Sequence, residues 1–110
     1  MNKSLVISAV ALFACASAHA DPMLDLAKEK QCMSCHSVDA TLLAPSFSSI
    51  AKRYQSQASA QGMLVSTVMK GTPESGGYHW GTMQMPGAGA RASVTESEAA
   101  QLVQWILNLK

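Results

Sequence analysis

The chain has 110 residues, room for a single domain. Eight Lys and Arg against seven Asp and Glu leave a formal net charge of +1, which excludes the strong basic field of a nucleic-acid binder. Aromatic residues make up 5% and charged residues 14%, so the core is thin, and the 48% hydrophobic content is inflated by the first twenty residues.

Those residues, 1–20, read as a cleaved secretory signal. Lys3 is the positive start, Leu5 to Ala18 an apolar stretch too short for a membrane span, and Ala18-His19-Ala20 a small-residue cleavage site. The domain is then 21–110, exported, with no stable membrane insertion once the signal is gone. Cleavage removes Cys15 and leaves Cys32 and Cys35. Lys3 is the one basic residue lost, so seven Lys and Arg balance seven Asp and Glu in the mature stretch. A neutral monomer of this kind meets partners through short-range contacts with modest salt dependence.

Asp21 is a good N-cap and Pro22 suits a first helical position. Met23, Leu24, Leu26 and Ala27 give an apolar stripe, with Asp25, Lys28, Glu29 and Lys30 towards water. This pattern predicts a helix from Asp21 to Met33 whose last turn carries Gln31-Cys32-Met33-Ser34-Cys35-His36. Two cysteines two residues apart, followed directly by histidine, form the attachment pattern of c-type haem. Positions i and i+3 share a helical face, so Cys32 and Cys35 can both present sulfur to one edge of a flat macrocycle and form thioethers. His36 can then fold beneath the ring and bind iron. A covalent haem also supplies the apolar plate that about ninety residues with few aromatics otherwise lack.

Residues 37–46 read as a loop. A metal-bound histidine donates its second N–H to a carbonyl or carboxylate, and a carbonyl close to Pro45 is the best acceptor nearby. The competing reading makes Pro45 an ordinary helix-starting proline. Ser46 caps a helix through Tyr54 that buries Phe47 and Ile50. The next helix spans Ala60 to Lys70, with Leu64, Val65, Val68 and Met69 inward, stopped by Gly71 and Pro73.

Gly71 to Val94 holds six of the seven glycines. A structureless segment of that length needs a task. Its task here is to cross the haem face opposite His36 and deliver a sixth iron ligand from Trp80-Gly81-Thr82-Met83-Gln84-Met85-Pro86. Met85 is favoured, because Pro86 biases it to extended backbone that projects its side chain into the site. Met83, two residues earlier, points the same way and competes. Met63 and Met69 read as core filler and His79 as a rim residue. The Trp80 N–H needs a partner when buried, either a haem propionate or simply the packed core around it. Thr95-Glu96-Ser97-Glu98 is a capping box for a last helix, Glu96 to Leu109, burying Ala99, Leu102, Val103 and Ile106. With no repeats and no strand-like alternation, the class is all-α.

The order of helix, Cys-x-x-Cys-His, loop proline, Trp80-Gly81, Met85-Pro86 and a terminal helix ending near Trp105 resembles the short single-haem bacterial class I cytochromes c, over the whole mature chain. The resemblance implies four or so short helices around one haem, with the first and last helices packed across each other. It implies one haem c held by Cys32 and Cys35, iron bound by His36 and Met85, a Pro45 carbonyl orienting His36, and Trp80 touching a propionate. Its implied activity is one-electron transfer rather than enzymatic turnover, with periplasmic or membrane-bound redox proteins as donor and acceptor. The chain departs from the pattern at residues 66–69, which lack an arginine, at Ala44 before the loop proline, and in a longer 71–79 stretch. These departures bear on propionate solvation and potential. The alternatives are a dedicated haem subunit of a periplasmic oxidoreductase, an open-site gas sensor or enzyme, and a thiol–disulfide protein using Cys32 and Cys35.

Overall fold

A computed structural model describes residues 20–75 and 80–110. The expected signal segment, apart from Ala20, and the expected rim residue His79 lie outside the described residues. All regular structure among the described residues is helical: α1 Pro22–Glu29, α2 Phe47–Tyr54, α3 Ala60–Lys70 and α4 Glu96–Leu107, with 3-10 turns at Cys32–Ser34 and Ala88–Ala90. None of these helices is long and apolar enough to cross a membrane.

The caps read from sequence are in place. The Asp21 side chain accepts from the Met23 N–H at 3.0 Å with Pro22 in the first turn. Ser46 caps α2 by accepting from the Ser49 N–H at 3.1 Å. Thr95 and Glu98 close the reciprocal capping box at 3.1 and 2.9 Å. Such caps satisfy amide donors that a first helical turn leaves without partners.

Two local expectations change. The first helix does not run into the cysteine motif. It ends at Glu29, and Gln31 takes a left-handed conformation at φ 63°, so Cys32–Ser34 forms a separate 3-10 turn. A long polar side chain in that region is uncommon, and here it is tied down: Gln31 Oε1 accepts from the Ala92 N–H at 3.2 Å. Lys30 does not face water. Its side chain is 14% exposed and its ammonium sits 3.2 Å from Glu98, linking the end of α1 to the start of α4.

α4 is the element the others share, packing against α1, α2 and α3. Its buried face is Ala99, Leu102 and Val103, with Ile106 at the margin. Leu102 meets Ala27 of α1 and Phe47 of α2 in one cluster. Small residues set the spacing: Ala27 and Ala99 are both fully buried, which lets α1 and α4 approach closely. Trp105 completes the crossing, with its ring edge-on to Phe47 at 5.6 Å and its Nε1–H donating to Asp21 Oδ2 at 3.0 Å. One carboxylate thus serves the first helix through one oxygen and the last through the other.

Candidate haem site

The left-handed Gln31 turns the chain so that the cysteine motif leaves α1 and enters a cavity. The Cys35 and His36 amides both donate to the Cys32 carbonyl, at 3.2 and 3.0 Å. In a 3-10 turn residues i and i+3 are eclipsed, so Cys32 and Cys35 still share one edge, as the helical argument required. Both are free thiols and half-buried. Burial pushes the Cys32 thiol up, opposed by the positive charge of Arg91 and by a backbone hydrogen bond.

His36 Nδ1 lies 2.7 Å from the Pro45 carbonyl. A carbonyl only accepts, so Nδ1 carries the proton and Nε2 keeps its lone pair. The ring stacks on Phe47 at 5.1 Å, which leaves rotation about the side chain little freedom. Burial lowers the His36 pKa first; the Pro45 bond raises it and Arg91 lowers it again. The result is a neutral imidazole near pH 7, the form that binds metals. The loop that brings Pro45 there is pinned along the motif: Ala44 N–H to the Cys35 carbonyl at 3.1 Å, Phe47 N–H to Ser37 at 2.9 Å and Ser48 N–H to Val38 at 2.9 Å. Ser46, not Pro45, caps α2.

Met85 also lines the cavity and is held by its backbone. Its N–H donates to Thr72 Oγ1 at 2.7 Å, and its carbonyl accepts from the Thr72 N–H at 2.9 Å. Gly71 makes this clasp possible. Its φ is +89°, and a Cβ there would stand 2.8 Å from the Met85 carbonyl oxygen and 2.9 Å from the Gly87 nitrogen. Gly71 is therefore both the stop of α3 and the point where the 80s loop touches it. Met85 is half-buried, whereas Met83 is 58% exposed. Both line the cavity, as their two-residue spacing predicts, and exposure is what separates them.

Trp80 is half-buried at the cavity edge, with the Arg53 guanidinium 5.7 Å from its ring centroid. That contact is additional to the two roles weighed from sequence. Met63 lines the cavity from α3, as core filler does.

Sequence reasoning missed two residues. Thr72 carries no motif, and its clasp is visible only in three dimensions. Arg91 had a signal: it is a lone cation in the small-residue run Gly87 to Ser93. Its Nη2 donates to the Val68 carbonyl at 2.6 Å, so a guanidinium reaches α3 from the loop although residues 66–69 contain none.

The cavity formed by these parts is about 190 Å³. Ile50, Leu64, Val68, Leu102, Val103 and Ile106 give it apolar walls on three helices. Two thiols, a neutral imidazole and the thioethers of Met63, Met83 and Met85 are its donors, and Arg91 Nη1 is buried in its wall with no hydrogen-bond partner among the described residues. No three His, Cys, Asp or Glu among the described residues form a bare-ion cluster. A flat apolar macrocycle that brings its own iron, and takes covalent attachment from paired thiols, fits this set.

Comparison with known proteins agrees. The cytochrome c family model matches residues 25–110. Cytochrome c-552 of Hydrogenobacter thermophilus is 36% identical over 110 residues, covering 100% of both chains. Cytochrome c-551 of Allochromatium vinosum is 38% identical over 86 residues, 78% of this chain and 84% of its own. The crystal structure of Nitrosomonas europaea cytochrome c552 superposes with a TM-score of 0.69 at 31% identity, covering 79% of this chain and 99% of that one. In length, in fold and in its haem-attachment pattern, the chain belongs to the cytochrome c family, as a small single-haem class I bacterial member that carries electrons on a covalently bound c-type haem.

Proposed function

We propose that the protein is a periplasmic one-electron carrier with His/Met-ligated iron. Cys32 and Cys35 hold the haem, His36 and Met85 bind its iron, and residues 21–110 are the mature domain after cleavage at Ala20. It works as a diffusible monomer between periplasmic or membrane-bound redox proteins.

The observation that carries this reading is the hydrogen bond from His36 Nδ1 to Pro45 at 2.7 Å, beside a cavity that His36 and Met85 both line. When bound, the haem supplies an Fe(III)/Fe(II) couple. The chain's residues do the rest. Pro45 fixes the His36 tautomer and aims Nε2 into the cavity. Thr72 fixes the Met85 backbone, so its thioether enters with little conformational freedom. A thioether favours the ferrous state relative to a second imidazole. The apolar walls from α2, α3 and α4 exclude water, which keeps the site's reorganisation on electron exchange small. Trp80, at the edge, shields a propionate, with Arg53 against its ring.

A visible spectrum of the periplasmic fraction tests this. The expected result is a c-type pyridine haemochrome, a low-spin ferric spectrum and a weak red sulfur–iron band. A high-spin ferric form whose reduced state binds CO rapidly contradicts the proposed ligation.

A further inference from the structure

We infer that Arg91 is a fixed cation in the wall of the haem cavity, and that its charge raises the reduction potential of the iron. The inference rests on the haem reading but not on the choice of sixth ligand.

Arg91 follows the 3-10 turn Ala88–Ala90 and is held on three sides. Its Nη2 donates to the Val68 carbonyl on α3 at 2.6 Å. The next residue, Ala92, donates its N–H to Gln31 at 3.2 Å, immediately before the cysteine motif. Upstream, Gly87 lies so close to α3 that a Cβ there would stand 3.0 Å from the Lys70 carbonyl oxygen. The guanidinium is thus placed by two backbone anchors and one hydrogen bond of its own, not by solvent.

The other half of the guanidinium has no such use. Nη1 is buried and makes no hydrogen bond to any atom of the described residues, and Arg91 lines the same cavity as Cys32, His36 and Met85. No ion pair of the described residues includes Arg91. Arginine stays protonated under all ordinary conditions, so this is a permanent positive charge with no carboxylate of the described residues paired to it.

A charge in such a place acts on redox equilibrium. Oxidised iron carries one more positive charge than reduced iron. A fixed cation in a low-dielectric wall therefore raises the free energy of the ferric form more than that of the ferrous form. Burial limits salt screening, so the effect persists at high ionic strength.

Three variants test this: Arg91→Gln and Arg91→Met remove the charge, and Arg91→Lys keeps it. The readout is the midpoint potential from a spectroscopic redox titration. The pyridine haemochrome and red band of each variant, taken first, establish that haem and ligands are intact. We expect R91Q and R91M to lower the equilibrium constant for reduction at least tenfold, about 59 mV for a one-electron couple. R91K should stay near the wild type. Unchanged potentials in R91Q and R91M overturn the inference, and so does an equal fall in all three, which would make Arg91 a positioning residue for the loop. If both neutral variants fail to take up haem while R91K loads normally, the charge serves haem capture and the tuning role is wrong. A wild type without a c-type haemochrome would instead remove the haem reading itself.

Discussion

The two walls of the haem cavity are built by opposite means. On the cysteine side, Cys32, Cys35 and His36 lie within five consecutive residues, and the Pro45 carbonyl that orients His36 is nine residues away. Short hydrogen bonds from Ala44, Phe47 and Ser48 staple that loop to the motif. On the methionine side, Met85 is held by Thr72, thirteen residues back, and the contact depends on Gly71 having no side chain. Apart from the bond between Gln31 and Ala92, one wall is specified by local sequence. The other is specified by where α3 ends and by how closely the 80s loop approaches it. The cysteine wall should therefore tolerate changes at the α3 terminus, which should make the methionine wall fail.

The largest effect on this asymmetry should come from Gly71→Val. A β-branched residue would have to adopt φ +89° and place its Cβ against the Met85 carbonyl. Backbone strain alone costs on the order of 1–3 kcal/mol, and the close approach adds to it. The expected outcome is normal covalent haem with a lost or weakened red band, seen by comparing haemochrome content with the ferric spectrum. Loss of both together would mean that the two walls form as one unit.

Thr72→Val should come next. It removes the hydroxyl that accepts from the Met85 N–H and leaves that amide partly buried without a partner, at about 1–3 kcal/mol. Faster CO binding to the reduced protein, with unchanged haem content, is the expected result.

Thr95→Ala acts outside both walls. Losing this cap should cost about 1 kcal/mol and lower Tm by roughly 4–8 °C, without changing the spectrum. A spectral change would show that the start of α4 is coupled to the iron site.

The smallest expected effect is a pH dependence at Glu98. The Thr95 backbone N–H, and then Lys30, hold its carboxyl below the ordinary value of 4.5. A folded-state pKa below the unfolded one gives stability that is present above 4.5 and lost as pH falls through the folded value. The Tm gap between wild type and Glu98→Gln should therefore narrow as pH drops below 4.5. Lys30, raised by the same pair, adds stability that is lost only as pH rises beyond its ordinary 10.5.

What the sequence made legible follows the same division. Caps, helix spans and the attachment motif are local patterns, and Asp21, Ser46, Thr95 and residues 60–70 were readable because their signals lie within a turn of where they act. The Pro45 carbonyl was readable because few acceptors sit near His36 in the chain. Gln31 was not: nothing in a helical pattern marks a glutamine that will turn left-handed, since what holds it there is Ala92, sixty-one residues on. Lys30 reads as a solvent-facing residue for the same reason, its partner Glu98 lying on α4. Thr72 and Arg91 act through backbone groups of distant residues; Arg91 stands out as a lone cation, but backbone partners leave no mark in side-chain pattern.

The central claim is that two separately built walls meet at one iron, with Met85 completing the site. The most direct test is the ferric spectrum of Met85→Ala beside that of Met83→Ala. The account predicts that M85A keeps its covalent haem and loses the red sulfur–iron band, while M83A keeps both. A band that survives in M85A and disappears in M83A would contradict it.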